Sequence, residues 1–533
     1  MADRRAAYTR AVAPTHQPDA AAAAEAREPR GGEASLGLDA RVAVALAFAG
    51  SGCLLILEIV AGRLLAPMVG VSLYTWTSVI GVVLGGVSLG NFAGGRIADR
   101  WPSRAAVAAI YVAGSLASVA ILVLIRYADS LVLPSSAPTI VQVLWLTGIL
   151  FFVPSTIVSA ATPVLTRLSL HAVEEGGRVV GRIQAAAALG SIVGVFLTGF
   201  VLISAFGTRR IVAGVAVTLL LLAVATRPPW LRPRLYELGS LLAVLVAAGW
   251  TSSSGCLRES DYYCIRVQPV AIGAVTSSGA VRQRGEFKAL YLDKLLHGVA
   301  DLSNPRLLFY SYEQLYAESL QRLHRPGSRV DSFFIGGGAY TFPRWMQVTY
   351  RGRILVAEID SAVTQVAQQQ LGLARFTRVQ TVHEDARLAL RRMPNGERFG
   401  VVLGDAFNDF AVPFQLTTVE FDRLVARHLT PDGLYLENVV DGVHDDFLRS
   451  QVRTLRHVFP YVGLIDSASW PPSTVRHTFV LVAALNRPRV ALPTVPQTQL
   501  DAFLRDGRSV LLTDDHVPVD QLLAPVFNQL LHS

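Results

Sequence analysis

The sequence predicts a multi-span α-helical membrane domain followed by an α/β domain, in which a small β domain precedes a doubly wound sheet. The chain has 533 residues, of which 51% are hydrophobic and 17% charged, a balance too apolar for an ordinary soluble protein. The apolar residues crowd between about residues 41 and 250. Beyond residue 256, short apolar runs alternate with glycine turns and helical patterns, which is typical of an α/β domain.

Residues 1–40 predict a disordered cytoplasmic arm. They combine an alanine run with scattered Arg, Glu, Pro and Gly and have no apolar period. A cleavable signal is not expected, because the first apolar run is long enough to span a membrane and no small-residue cleavage site follows it.

A membrane-spanning helix needs about 20 predominantly apolar residues. About seven segments of residues 41–250 qualify, at roughly 42–65, 72–95, 105–126, 138–166, 183–204, 210–226 and 236–250, the last of which is short. Pro154 predicts a kink in the fourth. Glycines in the second have the spacing that lets helices approach closely, namely Gly81, Gly85, Gly86, Gly90, Gly94 and Gly95.

Arginines predict the orientation, because short loops rich in positive charge stay in the cytoplasm. The N-terminal arm and every second loop carry them, for example Arg96, Arg100 and Arg104 after the second segment. The N-terminus is therefore expected in the cytoplasm, and an odd number of spans puts the C-terminal domain outside. Loop arginines also explain the net charge of +8, so the expected partner is the lipid bilayer and not nucleic acid.

Two further features of the membrane half leave alternatives open. Cys256 and Cys264 either close a small disulfide loop in an oxidising compartment or are unrelated thiols. Glu58 and Arg63 are ionisable residues within or near a span, where such groups are usually paired or functional. Pairing with a neighbouring helix is favoured over a proton or substrate relay.

The pattern of the C-terminal half predicts a small β domain at 256–300 and a doubly wound domain at 301–533. Strands are expected at 263–267, 273–276 and 290–292 in the first. In the second, a buried strand at 330–335 leads into the glycines Gly336, Gly337 and Gly338, and a helix starts near Thr341.

Acidic residues follow three further strands, at 353–357, 379–382 and 401–404. They are Glu358, Asp385 and Asp405. Ligand sites of α/β sheets lie at the carboxyl ends of the strands, where glycines let the backbone approach a ligand and an acid about 20 residues on accepts ribose hydroxyls. The alternative is that each acid only caps the next helix or turn.

These residues resemble the signature series of the spermidine synthase family. The resemblance covers about residues 260–440, through Ile335-Gly336-Gly337-Gly338, Glu358-Ile359-Asp360, Glu384-Asp385-Ala386 and Gly404-Asp405. The membrane half is similar to that of fused proteins that join a transporter-like membrane region to such a domain, through Glu58-Ile59-Val60, Arg63, Gly94-Gly95-Arg96, Ala98-Asp99-Arg100, Thr162-Pro163 and Gly181-Arg182.

The resemblance implies a methyltransferase-like Rossmann domain that transfers an aminopropyl group from decarboxylated S-adenosylmethionine to an amine. It implies that Gly336, Gly337 and Gly338 border the nucleoside, that Glu358 holds the ribose and that Asp385 and Ala386 flank the adenine. Asp405 would be the catalytic base. No metal and no tightly bound cofactor are implied.

The chain departs from the family at positions that bind the amine. Ala339 stands where the family has an acid after its glycines, Ala317 replaces a histidine, and Asn408 replaces the second acid of an Asp-x-x-Asp motif. Three hypotheses follow: an aminopropyltransferase-like enzyme, an inactive nucleoside-binding or sensing domain on a membrane anchor, and a transporter that uses Glu58 and Arg63. A homodimer is left open.

Overall fold

The structure is a computed structural model. It describes residues 38–69, 73–127, 139–170, 176–226, 239–242, 244, 249, 255–270, 273–275, 281–283, 286–293, 295–374, 377–406, 412–442, 444–466 and 477–530. The predicted arm at residues 1–40 lies almost wholly outside this set.

Six helices among the described residues are long and apolar enough to cross a membrane, and we number them as the first to sixth spans. They are Ala40–Ala66, Leu73–Arg100, Arg104–Tyr127, Ile140–Ser169, Gly176–Leu202 and Thr208–Ala225. Each overlaps one of the first six predicted segments. The predicted seventh segment, 236–250, lies mostly outside the described residues.

The fourth span is irregular where proline predicts it. Helix Thr139–Thr147 passes through a π-helical turn, Gly148–Phe152, into the helices Val153–Ser159 and Ala161–Ser169. Pro154 has no backbone N–H to donate to the preceding turn, so regular hydrogen bonding is interrupted there. The fifth span contains a second π-helical turn, Thr198–Leu202, followed by the short helix Ile203–Phe206.

Glycines of the second span make backbone contact with the fourth. A Cβ added at Gly90 would lie 2.0 Å from the Ser159 hydroxyl oxygen, and one at Gly94 would lie 2.4 Å from the Ala160 carbonyl oxygen. Close packing is thus confirmed at these positions. The prediction of close packing is wrong for Gly81 and Gly95, where an added Cβ would meet no described atom within 4 Å.

A small antiparallel sheet begins the C-terminal half. Its strand order is β1-β2-β5-β6, and β3 pairs with β4 in a separate hairpin. The bounds are β1 Arg258–Glu259, β2 Cys264–Val270, β3 Gly273–Val275, β4 Val281–Gln283, β5 Phe287–Leu292 and β6 Leu295–Asp301.

A seven-stranded mixed sheet follows, in the order β12-β13-β11-β10-β7-β8-β9. Strands β7 to β11 run parallel, and β13 is antiparallel to both β11 and β12. This is the methyltransferase-like doubly wound sheet that the sequence predicts. The bounds are β7 Ser332–Ile335, β8 Ile354–Ala357, β9 Val379–Val382, β10 Phe399–Gly404, β11 Leu429–Asp441, β12 Tyr461–Asp466 and β13 His477–Ala484.

Helices cover both faces of this sheet and enclose two apolar cores, one on each side. They are Ser311–Leu323, Thr341–Thr349, Ser361–Gln370, Ala386–Arg392, Val419–Arg427, Asp446–Val458, Gln497–Arg505 and Val519–Leu530, with a 3₁₀ turn at Phe414–Leu416. The predicted helix start at Thr341 is confirmed.

The C-terminal half contacts the membrane half at one end of the helix bundle. Arg63 in the first span donates to the backbone carbonyl of Ser260 at 2.9 Å and to that of Tyr262. At the start of the sixth span, the N–H of Thr208 donates to Glu259 at 2.8 Å. Pairing of Arg63 with a neighbouring helix, the favoured prediction, is therefore wrong, because its described partners are carbonyls of the soluble half.

The predicted disulfide is present. Cys256 and Cys264 are bonded, with their Cα atoms 5.4 Å apart. The bond ties the start of the C-terminal half to β2.

Candidate functional site

The glycine turn after β7 requires glycine at its first position. Gly336 has φ = 93°, a conformation that residues with a Cβ rarely adopt. A Cβ there would also lie 2.6 Å from the backbone carbonyl oxygen of Asp405. Gly336 and Gly338 border the cavity described below, whereas Gly337 contributes its N–H to Glu358.

Glu358 lies directly after β8 and is buried. Its two carboxylate oxygens accept N–H groups from Gly337 at 2.8 Å and from Asp360 at 2.9 Å. Burial raises the pKa of Glu358, although these hydrogen bonds act in the opposite direction. A carboxylate offers about four lone-pair sites, so Glu358 can still accept a hydroxyl group of a ligand. It is Asp360, not Glu358, that caps the next helix.

Asp385 both caps a helix and borders the cavity. Its Oδ1 accepts the N–H groups of Arg387 and Leu388 at 2.9 and 3.2 Å, and its Oδ2 accepts the amide of Gln415 at 3.1 Å. The capping alternative is therefore correct for this residue, but it does not exclude a ligand role, because Asp385 and Ala386 both line the cavity.

Asp405 lies directly after β10 and is held by two donors. Tyr312 donates its hydroxyl at 2.8 Å and Asn438 its amide at 2.8 Å. Burial raises the pKa of Asp405, while these hydrogen bonds and the nearby His297 act to lower it. The result is a carboxylate with a raised proton affinity at the end of a parallel strand, where a base can meet a substrate.

One cavity joins these groups. It has a volume of about 790 Å³ and is bordered by Gly336, Gly338, Glu358, Asp385, Ala386 and Asp405. A volume of this size suits a small-molecule ligand. Its remaining wall includes aromatic and apolar side chains such as Tyr262, Tyr263 and Phe414, together with Leu73 and Trp76 of the second span.

Sequence reasoning missed several residues of this wall. His297 on β6 borders the cavity, and Tyr312 reaches Asp405 from a helix 93 residues earlier in the chain. The only available signal for His297 was its position shortly after the predicted strand at 290–292. Nothing in the local sequence marks Trp76, because aromatic residues are common at the ends of membrane spans.

The alanine side chains at the substituted amine-side positions do not reach the cavity. The described residues that border it include neither Ala317 nor Ala339. Ala339 is buried against β6, since a Cβ added to Gly298 would lie 2.4 Å from the Ala339 side chain. Asn408 and Asp409 lie outside the described residues. Within the described chain, no group of three or more His, Cys, Asp or Glu residues could hold a metal ion.

No protein-family model matches the chain. Part of it is similar to a protein of Bifidobacterium longum described as a probable polyamine aminopropyl transferase. The two are 24% identical over 230 residues, which cover 38% of this chain and 50% of the relative. The chain thus matches about half the length of that curated protein.

Several solved structures are also similar to the chain. A probable spermidine synthase from Corynebacterium glutamicum is 19% identical, with a TM-score of 0.41, covering 48% of this chain and 94% of that one. Spermidine synthase from Thermotoga maritima is 16% identical, with a TM-score of 0.28, covering 44% and 84%. A spermidine synthase bound to the transition-state analogue AdoDATO is 17% identical, with a TM-score of 0.29, covering 41% and 80%. The C-terminal domain is spermidine synthase-like, as the motifs indicate.

Proposed function

We propose that the C-terminal domain binds an adenosyl sulfonium or thioether ligand and acts as an aminopropyltransferase-like transferase. One observation carries the proposal: Glu358, Asp385 and Asp405, which follow three different strands, all border the same cavity. We propose the predicted roles for them, with Glu358 at the ribose, Asp385 and Ala386 at the adenine, and Asp405 as the base. The glycine turn lets the backbone approach the nucleoside.

The chemistry proposed for Asp405 is proton acceptance. An amine nucleophile attacks the carbon beside the sulfonium, so that a C–N bond forms while the C–S bond breaks and its electron pair leaves with the neutral thioether. The nitrogen then carries an excess proton, which the carboxylate of Asp405 accepts. The raised pKa of Asp405 favours this step. The cavity wall holds donor and acceptor together.

The acceptor amine is not expected to be bound as in spermidine synthases. Ala317 and Ala339 offer no charge or hydrogen bond, and each charge-assisted hydrogen bond that is missing weakens binding by about 1.5–3 kcal/mol. Two such losses lower the affinity for putrescine by roughly two or more powers of ten. The same observation favours a second candidate function, a nucleoside-binding domain without catalysis.

Calorimetry on the full-length protein in detergent tests the ligand proposal, with methylthioadenosine as the probe. We expect binding that weakens at least about tenfold in Glu358→Gln and is unchanged in Glu318→Gln, whose side chain is exposed on the helix Ser311–Leu323. Absence of binding, or equal affinity in both variants, would overturn the proposal.

A transfer assay with decarboxylated S-adenosylmethionine and putrescine separates the two functions. Brisk product formation that Asp405→Asn abolishes identifies the enzyme. The same result contradicts the expected weak binding of the acceptor amine.

We also propose that the C-terminal domain is extracytoplasmic, with the membrane domain at 41–250, the small β domain at 256–300 and the Rossmann-like domain at 301–533. The contacts of Arg63, Leu73 and Thr208 with this domain involve the end of the first span and the starts of the second and sixth. These ends share one side of the bundle, because successive spans alternate in direction. The sixth span ends on the other side, which supports the proposed seventh crossing at 236–250.

The transporter hypothesis receives less support. Arg63, one of the two ionisable residues on which it rests, donates to carbonyls of Ser260 and Tyr262. An arginine engaged in this interface has a structural partner, and a substrate pathway is not needed to explain it.

A further inference from the structure

Two residues of the second span form part of the wall of the nucleoside cavity. They are Leu73 and Trp76, at the start of the helix. The backbone N–H of Leu73 donates to the carboxylate of Asp520 at 2.8 Å, and Asp520 borders the same cavity. The membrane half therefore closes a side of the cavity that the soluble half leaves open.

The first span fixes the position of the Trp76 ring. A Cβ added at Gly62 would lie 3.0 Å from Cη2 of Trp76 and 3.3 Å from Cζ2, so the ring edge lies against the glycine backbone. The ring remains 36% exposed, and it borders the cavity. A flat aromatic ring in such a place can stack on a nucleobase or pack against apolar parts of a nucleoside.

The first span is also connected by hydrogen bonds to the acid proposed for the ribose. Arg63 donates to the carbonyl of Ser260 at 2.9 Å, and the Ser260 hydroxyl donates to the carboxylate of Asp360. The N–H of Asp360 in turn donates to Glu358 at 2.9 Å. The Ser260 hydroxyl oxygen also accepts the N–H of Tyr263 at 2.9 Å, which helps to hold this hydroxyl in place.

We infer that the nucleoside site is a composite of both halves, in which Trp76 is a binding residue for the adenosyl ligand and Arg63 positions Glu358. The inference rests on the proposed adenosyl binding and adds to it that the membrane helices determine affinity. The ligand then contacts both halves at once, and the soluble domain alone lacks one wall of its site.

Variants of the full-length protein test the role of Trp76, with methylthioadenosine as the probe. Trp76→Ala is expected to weaken binding about tenfold or more and Trp76→Phe much less, because phenylalanine keeps a flat ring. The matched control is Trp101→Ala, at the opposite end of the same span and 64% exposed, which should bind as the wild type does. Wild-type affinity in Trp76→Ala overturns the inference, whereas failure of the wild type to bind overturns the proposed function instead.

Photolabelling of the wild-type protein tests the same contact without a variant that could misfold. An 8-azidoadenosine probe irradiated in the site is expected to label the peptide that contains Leu73 and Trp76, and excess methylthioadenosine should prevent the labelling. If all labelling that methylthioadenosine prevents lies in the C-terminal domain, the site is not a composite of both halves.

A double-mutant cycle tests the role of Arg63. Arg63→Gln is expected to weaken methylthioadenosine binding severalfold, with partial recovery in Arg63→Lys, which keeps a donor for one carbonyl. In combination with Glu358→Gln it should cause little further loss, because both changes act on the ribose. A 2′,3′-dideoxyadenosine probe should bind wild type and Arg63→Gln alike. Additive losses, or equal losses for both probes, show that Arg63 does not act through Glu358.

Discussion

At the scale of single residues, the environment of Asp405 determines its proton affinity. Tyr312 and Asn438 both donate to its carboxylate and stabilise the ionised form, against burial, which raises the pKa. Removing one donor in Tyr312→Phe is expected to raise the pKa of Asp405 further, so the carboxylate ionises at a higher pH. Infrared titration of the protonated carboxyl band, assigned by its loss in Asp405→Asn, measures this shift.

Tyr316→Phe is the matched control for that measurement. The Tyr316 hydroxyl donates at 3.2 Å to the backbone carbonyl of Gly404 and not to the carboxylate. Its removal should leave the titration of Asp405 nearly unchanged. Equal titration curves in Tyr312→Phe and the wild type would show that the tyrosine does not stabilise the ionised carboxylate.

Residues at strand ends could be predicted from sequence, and residues that reach them from elsewhere could not. Glu358, Asp385 and Asp405 were found because each directly follows an apolar strand, a pattern that is local. Tyr312 and Asn438 lie 93 and 33 residues from Asp405, and their contact with it exists only after the sheet and helices pack. Their roles therefore have no signature within a short window of sequence.

At the scale of elements, β11 carries an acid into the core beneath the site. Glu437 on this strand is buried, and burial raises its pKa to about 8 from the ordinary 4.5, while the amide of Gln451 at 3.1 Å from its oxygens acts to lower it. Asp422, on the helix Val419–Arg427 that packs on the strand, is also buried, and its two carboxylate oxygens have no hydrogen-bond partner among the described residues. The carboxyl group of Glu437 on this strand is therefore mostly protonated at neutral pH.

This burial predicts a pH dependence of stability. Between pH 4.5 and about 8, the folded protein binds the proton of Glu437 and the unfolded chain releases it, so stability falls as pH rises through this window. Glu437→Gln cannot ionise, and its melting temperature should exceed that of the wild type by roughly 3–6 °C at pH 8–9 and lose this advantage near pH 5. Thermal denaturation of the purified protein across pH measures both curves.

Glu318→Gln serves as the control, because Glu318 pairs with Arg322 on an exposed helix surface. If the melting temperatures of Glu437→Gln and the wild type differ by the same amount at all pH values, Glu437 does not cause the loss of stability at high pH.

Element positions in the C-terminal half were largely predictable. Strand β9 was predicted with its observed bounds, and β8 and β10 within two residues, because buried parallel strands read as short apolar runs bounded by turns. The burial of Glu437 was not predictable, since a glutamate within an apolar strand has no sequence feature that separates a solvent-facing from a core-facing position.

At the scale of the whole molecule, the contacts between the halves predict the topology. A C-terminal alkaline phosphatase fusion is expected to be active and a C-terminal fluorescent reporter that folds only in the cytoplasm to be dark. The matched control is a truncation after Thr226, at the end of the sixth span, whose fusions should behave in the opposite way because the seventh crossing is missing. Identical behaviour at both fusion points contradicts a crossing between residue 226 and Cys256.

The disulfide gives an independent readout of the same topology. Disulfides persist in oxidising compartments and are rare in the cytoplasm. In intact cells, Cys256 and Cys264 should resist an alkylating agent until a reductant is added. Free reactivity of both thiols without reduction is incompatible with an extracytoplasmic domain.

The backbone contact between the second and fourth spans has a consequence for the kinetics of ligand exchange. At Gly90 and Gly94 the second span lies so close to the backbone of the fourth span and to the Ser159 hydroxyl that even an added methyl group would not fit. The second span is therefore expected to move together with the fourth, so that Leu73 and Trp76 stay in place during each binding event. Entry and release are then expected along the part of the wall that the soluble half forms with Pro413 and Phe414. Dissociation rates should therefore be insensitive to bilayer thickness, although affinity depends on a residue of a membrane helix.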